Sequence, residues 1–283
     1  MKLRRPRAIV IQKAAVIILG IFASLIILSP IIWIILTSLK DVNEIYRVPM
    51  TIWPEKVVST NYLTVIRGLP EFPIYFFNTL KVTMGTLAIV LPLSAAAGYA
   101  LGRREFPGKF LINSFLFFVL AIPYLIFLVP IYIIEDTLRL LDTNLGLILP
   151  YAALNLPLGI FIMQTAYREI PSELEDAAYI DGANAFQTWA RVLTPLVVTS
   201  LAAVTIFTFV AVWEEYMFAR TLMIETSAQT LAVGLPTLKV EAKSWAYGTL
   251  SAALTLSLIP IGVVFIVLRK YFVEGVLRGS IKG

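Results

Sequence analysis

Cysteine and histidine are both missing from this chain of 283 residues. Their absence removes disulfides, Cys/His metal sites, thiol nucleophiles and every acid, base or proton shuttle built on imidazole. Charge is scarce as well: Asp, Glu, Lys and Arg make up 14% of the residues, against about 25% in an ordinary soluble domain. No G-x-x-x-x-G-K-[ST] phosphate loop occurs, so the chain does not bind and split ATP by that route. No internal repeat is visible between the two halves, which disfavours a secondary transporter built from repeated units. Most enzyme chemistries are thereby excluded.

What the chain does contain is apolar surface. Hydrophobic residues form 59% of it and the mean hydropathy is +0.84, the composition of an integral membrane protein. The net charge of +5 is spread over short connections, as expected for charges that orient spans, and does not point to nucleic acid. Six apolar runs are each long enough to cross a bilayer core of about 30 Å as a helix. They cover 13–38, 77–101, 110–134, 144–165, 196–218 and 246–268, and are expected to form one all-α transmembrane domain over 1–283. The first follows the basic "KLRRPR" start but lacks a small-residue cleavage site, and is expected to be a retained helix.

Four connections, 1–13, 102–109, 166–195 and 269–283, carry 14 lysines and arginines, against 8 in 39–76, 135–143 and 219–245. The positive-inside rule therefore predicts that both termini are cytoplasmic, with 39–76 and 219–245 as outer loops. Pro30, Pro92, Pro123, Pro130, Pro150, Pro157 and Pro260 lie in or beside spans and are expected to shape helices. "SAAAGYALG", Ser94 to Gly102, has the small side chains that let helix backbones approach closely.

Against this background "SELEDAAYIDGANAF", Ser172 to Phe186, stands out. Its loop, 166–195, holds the acids Glu169, Glu173, Glu175, Asp176 and Asp181 against two bases, Arg168 and Arg191. Ser172 with Glu175 three residues on has the form of a capping box. A helix is predicted from Ser172 to about Asp181, a break at Gly182, and a second short helix with Trp189 and Arg191 towards Pro195. A helix of about nine residues does not hold itself together in water. On it Leu174, Ala177, Ala178 and Asp181 form a narrow stripe with two small residues at its centre. Either a partner docks there, with carboxylates such as Glu175 or Asp176 available to its basic side chains, or the loop packs on its own bundle.

A second acidic feature is Glu214 with Glu215 between Trp213 and Tyr216, near the outer end of the fifth run. The four read either as an interfacial belt or as a substrate path or partner contact. Lys81 is expected to snorkel, and Phe76, Phe77, Tyr124, Tyr132 and Tyr151 to serve packing. The outer loop 219–245 is long enough to meet an external protein.

The acidic loop resembles the EAA loop of ABC-importer permeases, Glu-Ala-Ala, three residues, Gly, nine residues, Ile-x-Leu-Pro. Asp176, Ala177, Ala178, Gly182, Val192, Thr194 and Pro195 stand at the matching positions, with conservative departures at Asp176 and Val192 and a less conservative one at Thr194. "NTLKVT", "AAAGYALGRREFPGK", "LLDTNLGLILPY", "WEEYMFA", "TLAVGL" and "RKYFVEGVLRGSIKG" are similar, in order, to the carbohydrate-uptake branch and to its smaller maltose-type permease subunit. Family members often carry Asn where Glu214 stands.

The resemblance implies a type I importer fold and a non-catalytic subunit in a prokaryotic plasma membrane. It also implies a second related permease, two cytoplasmic ATPase subunits that bind ATP and Mg, and an outer solute-binding protein that the 219–245 loop could touch. No cofactor is expected in this chain. The first loop helix would be the coupling helix, with Glu175, Asp176, Ala177, Ala178, Asp181 and Gly182 as its coupling residues. The competing expectation is a stand-alone gradient-driven transporter titrating Glu214 or Glu215.

Overall fold

The structure, a computed structural model, describes residues 7–237 and 247–280. Several bases that entered the orientation count, Lys2, Arg4, Arg5, Lys239, Lys243 and Lys282, lie outside the described residues, as does the 238–245 part of the expected outer loop. Among the described residues all regular structure is helical. The principal helices are α1 Arg7–Ser38, α2 Glu71–Arg103, α3 Lys109–Ala121, α4 Leu128–Leu138, α5 Asn144–Arg168, α6 Ser172–Ile180, α7 Ala185–Leu196, α8 Val198–Trp213, α9 Met217–Leu222, α10 Leu231–Gly234 and α11 Tyr247–Ser280.

Four of the expected runs are continuous helices long and apolar enough to span: Ala15–Ser38 within α1, all of α2, all of α5, and Tyr247–Tyr271 within α11. The other two are broken. Lys109–Ala121 and Tyr124–Leu138 meet at 97°, and Ala185–Leu196 and Val198–Trp213 meet at 76°. Six spans are reached only if each bent pair counts as one. At the first bend Ile122 is extended, with φ −81° and ψ 129°, because a following proline, Pro123, disfavours the helical region for the residue before it. At the second, Val197 leaves helical geometry just after Pro195. The run expected to continue to 218 stops at Trp213, and α9 starts afresh at Met217.

The described chain forms two compact units, one running up to Leu69 and including the start of α11 as far as Leu256, the other from Pro70 and from Ser257 onward. In the first, the connection after α1 is held by side-chain hydrogen bonds. Asn61 Nδ2 donates to Ser38 O and Lys40 O at 2.8 and 2.9 Å, satisfying carbonyls that the end of α1 leaves open. The buried Lys40 ammonium donates to Thr51 O and lies 5.1 Å from the Trp33 ring centroid.

In the second unit α2 and α5 form the central pair. Small residues allow it. A Cβ on Gly98 would lie 2.5 Å from Met163 Cβ and 2.9 Å from Gln164 N, and one on Gly102 would lie 2.9 Å from Gln164 O. The relation is reciprocal, because Gly159 of α5 leaves room for the Ser94 side chain of α2. Towards one end Tyr99, Met163, Tyr167, Leu193 and Val204 pack into one apolar core; towards the other Val82, Leu147, Phe218, Leu222 and Val233 form a second.

Candidate functional site

The acidic loop forms α6, a bend and α7. The predicted capping box is absent. Pro171 is the N-cap and no side chain caps the helix, because Glu175 is turned the other way, into the bundle. Its Oε1 accepts from the Tyr99 hydroxyl at 2.9 Å, Arg104 Nη2 at 2.6 Å and the Tyr179 hydroxyl at 3.2 Å, and its Oε2 from Arg103 Nε at 3.0 Å. Two guanidinium donors outcompete one backbone N–H, since charge-assisted bonds are the stronger ones. Burial in itself pushes the Glu175 carboxyl up, but the hydrogen bonds from Tyr99 and Arg103, the Arg104 charge and the Tyr179 hydroxyl outweigh it and hold it below the usual carboxylate range.

Glu175, expected as a coupling residue, is 7% exposed and its ion pairs are made within the chain. Ala178, on the same face, is also buried. The expected seam therefore splits: Ala178 points inward, while Leu174, Asp176, Ala177, Ile180 and Asp181 are exposed. Gly182 ends the helix at φ +84°, with Gly182 N donating to Tyr179 O and Ala183 N to Ala178 O, both at 3.0 Å. This is a Schellman closure, which needs a left-handed residue at that position. Asn184 and Gln187 then cap α7 reciprocally, and α7 is π-helical over Thr188–Leu193. A capping box is thus present one helix later than expected.

Trp213, Glu214, Glu215 and Tyr216 do not act together. Trp213 is 5% exposed, stacked on Phe209 at 5.2 Å, with its indole N–H donating to Ser257 O at 3.2 Å. Glu215 accepts from the Tyr151 hydroxyl at 2.5 Å and from Phe218 N and Ala219 N at 3.0 and 3.1 Å, closing the start of α9. Both side chains are bonded inside the chain, whereas Glu214 and Tyr216 are exposed. Glu215→Ala is expected to cost about 2–3 kcal/mol, because it leaves a buried Tyr151 hydroxyl and two helix N–H groups without their acceptor. Thermal unfolding of the purified protein measures it, with Glu215→Gln losing less.

Sequence reasoning missed the residues that fold 217–237 onto the bundle. Asp142 accepts from Ile224 N and Glu225 N at 2.6 and 2.8 Å, Asn78 Nδ2 donates to Ser227 O and Gln229 O at 2.8 and 3.0 Å, and Thr79 Oγ1 accepts from Leu231 N at 2.8 Å. This part of the expected outer loop is therefore packed structure. The available signal was a set of short polar side chains, Asn78, Thr79 and Asp142, at the ends of apolar runs. Among the described residues no three His, Cys, Asp or Glu side chains gather where a metal could sit.

A family model described as "Binding-protein-dependent transport system inner membrane component" matches residues 88–278, a stretch that includes the whole acidic loop. The chain is 34% identical to a probable ABC transporter permease protein, YurM, of Bacillus subtilis (strain 168), over 90% of this chain and 83% of that protein. It is 32% identical to the trehalose transport system permease protein SugB of Mycobacterium tuberculosis, over 90% of this chain and 93% of that one. The trehalose/maltose transport system permease protein MalG of Thermococcus litoralis is 28% identical over 97% and 98% of the two chains. A chain from a bacterial ABC transporter involved in the import of the acidic polysaccharide alginate superposes with a TM-score of 0.79 at 24% identity, covering 96% of this chain and all of that one. That likeness shows the fold.

Proposed function

We propose, from the premise that this chain belongs to the family of inner-membrane components of binding-protein-dependent transport systems, that it is the permease subunit of an ATP-driven carbohydrate importer. It is a multi-pass protein of a bacterial plasma membrane with the type I importer permease fold. Relatives named for trehalose, trehalose/maltose and sulfoquinovosyl glycerol support the carbohydrate class. On this reading the chain is not itself an enzyme: two partner ATPase subunits bind ATP and Mg, and a second related permease completes the path. A solute-binding protein delivers substrate from outside, both termini face the cytoplasm, six spans form a single transmembrane domain, and α6 docks on an ATPase subunit.

The observation that carries the coupling role is the outward face of α6. Asp176, Ala177, Ile180 and Asp181 are exposed beside one another, and Ile180 is 86% exposed at the end of a nine-residue helix. Exposed apolar surface flanked by carboxylates suits a cleft with an apolar floor and a basic rim. Closing of the ATPase pair would move α6 and switch the spans between inward and outward access.

Ala177→Arg is expected to reduce co-purification of the ATPase subunits and sugar uptake by on the order of tenfold or more, as for a residue central to an interface, while the chain still inserts. Normal uptake and normal co-purification in that variant would sink the docking role. The competing gradient-driven reading loses support from Glu215, which already accepts from three donors within the chain. Uptake by this chain alone in liposomes under a pH gradient, without nucleotide, would restore it.

A further inference from the structure

A docking helix transmits a push only if it is fastened to the spans. α6 is short, its N-cap carries no side-chain bond, and its buried residues are Glu175 and Ala178. Apolar burial of a single alanine holds a helix weakly. The fastening is polar, and its donors outside α6 come from one place: Tyr99 and Arg103 in the last turns of α2, and Arg104 just beyond it.

Arg103 grips two things at once. Its Nε holds Glu175, and its Nη1 donates to Ile170 O at 2.8 Å, in the turn that leads from α5 into α6. Arg104 Nη2 meets Glu175 Oε1 at 2.6 Å and the Tyr179 hydroxyl at 2.5 Å. Glu175 and Tyr179 are one turn apart on α6, so two anchor points set its rotation as well as its position. That rotation is what leaves Asp176 and Ala177 facing out.

From Tyr99 the contacts continue. Its ring meets Tyr167 of α5 edge-on at 5.6 Å, and the Tyr167 hydroxyl bonds the Thr194 hydroxyl at 2.9 Å and receives Trp189 Nε1 at 3.1 Å, both on α7. The ends of α2, α5 and α7 are thus joined to α6 through one contiguous polar and aromatic network.

We infer that Glu175, Arg103 and Arg104 form an ionic pin that keeps α6 moving as one body with the end of α2 throughout the transport cycle. Without it the Glu169–Pro171 turn would absorb displacement of the docked helix. The inference rests on the reading of α6 as the helix that docks on an ATPase subunit. The three are positioning residues: they touch neither the ATPase nor the sugar.

The test uses the complete transporter, with its partner permease, ATPases and binding protein, in proteoliposomes. Because the chain has no native cysteine, an Arg103→Cys/Glu175→Cys double variant carries no thiols but those introduced. Before bridging, it is expected to retain its ATPase subunits and their ATP hydrolysis, since Arg104 still holds Tyr179 and no outward residue of α6 is replaced. Sugar imported per ATP should fall by on the order of tenfold, the scale of a typical coupling energy. Bridging the two thiols with a short bifunctional reagent should bring most of that ratio back, which a merely structural loss would not do. An unchanged ratio before bridging overturns the pin, and so does import that bridging abolishes, which would mean the contact opens during the cycle. A wild-type complex from which this chain purifies without ATPase subunits overturns the docking reading itself, and the pin with it.

Discussion

Gly98→Leu is expected to leave little folded chain in the membrane. The added Cβ would fall 2.5 Å from Met163 Cβ and 3.0 Å from the Met163 carbonyl carbon, in addition to its approach to Gln164 N. Two of those three atoms are backbone, so the clash is relieved only by separating α2 from α5. Overpacking a well-filled site costs about 1–3 kcal/mol when side chains can shift, and here the backbone has to shift, so the loss belongs at or above the top of that range. Van der Waals contact between closely approaching helices is a main source of stability in a bilayer, where burial from water contributes little. The measurement is the monodisperse fraction after detergent extraction. Gly20→Leu in α1 is the control, because a Cβ there has nothing within 4 Å. Equal recovery of the two variants would contradict close α2–α5 packing as a determinant of the fold.

Glu175→Ala is expected to destabilise the same unit by about 3 kcal/mol, the lower end of the range for breaking a buried ion pair. The low end applies because the Arg103 guanidinium keeps Ile170 O as an acceptor when its carboxylate is gone. The Arg103 side chain is only 11% exposed, so water does not replace the lost partner. Arg104 is 41% exposed and adds little, its charge being solvated in either state.

The effect has a definite pH dependence. The folded Glu175 carboxyl is held below its ordinary value, so the unfolded chain binds the proton more readily. Its contribution is complete above the usual carboxylate value of about 4.3 and is lost as the pH falls through the lower folded value. The stability gap between wild type and Glu175→Ala is therefore widest at neutral pH and closes on acidification below the carboxylate range. A gap that stayed constant into that acidic range would rule out an ionised Glu175 as the source of the stabilisation.

Much of the protein was legible before its structure. Four of the apolar runs marked continuous helices long enough to span, since a bilayer demands about twenty apolar residues whatever the neighbours are. Gly182 marked the end of α6, because that turn needs a residue at positive φ. The loop spacing and the chain-wide resemblance pointed to the transport family. Less was legible where one residue competes among several partners. Ser172 and Glu175 have the spacing of a capping box, yet Arg103 and Arg104, some seventy positions earlier, take the carboxylate instead. Glu215 looked like an exposed membrane acid, and Tyr151 with the start of α9 consumes it.

Sequence alone determined that this chain crosses a membrane as helices and carries a short, capped-looking acidic helix outside the spans. Only the tertiary structure decided which side of that helix faces out. Periodicity places Glu175 and Asp176 on adjacent faces but assigns neither an environment, because helix rotation is set by contacts remote in the chain. Here the two guanidinium groups at the end of α2 turn Glu175 inward, and by that same rotation leave Asp176 and Ala177 at the surface.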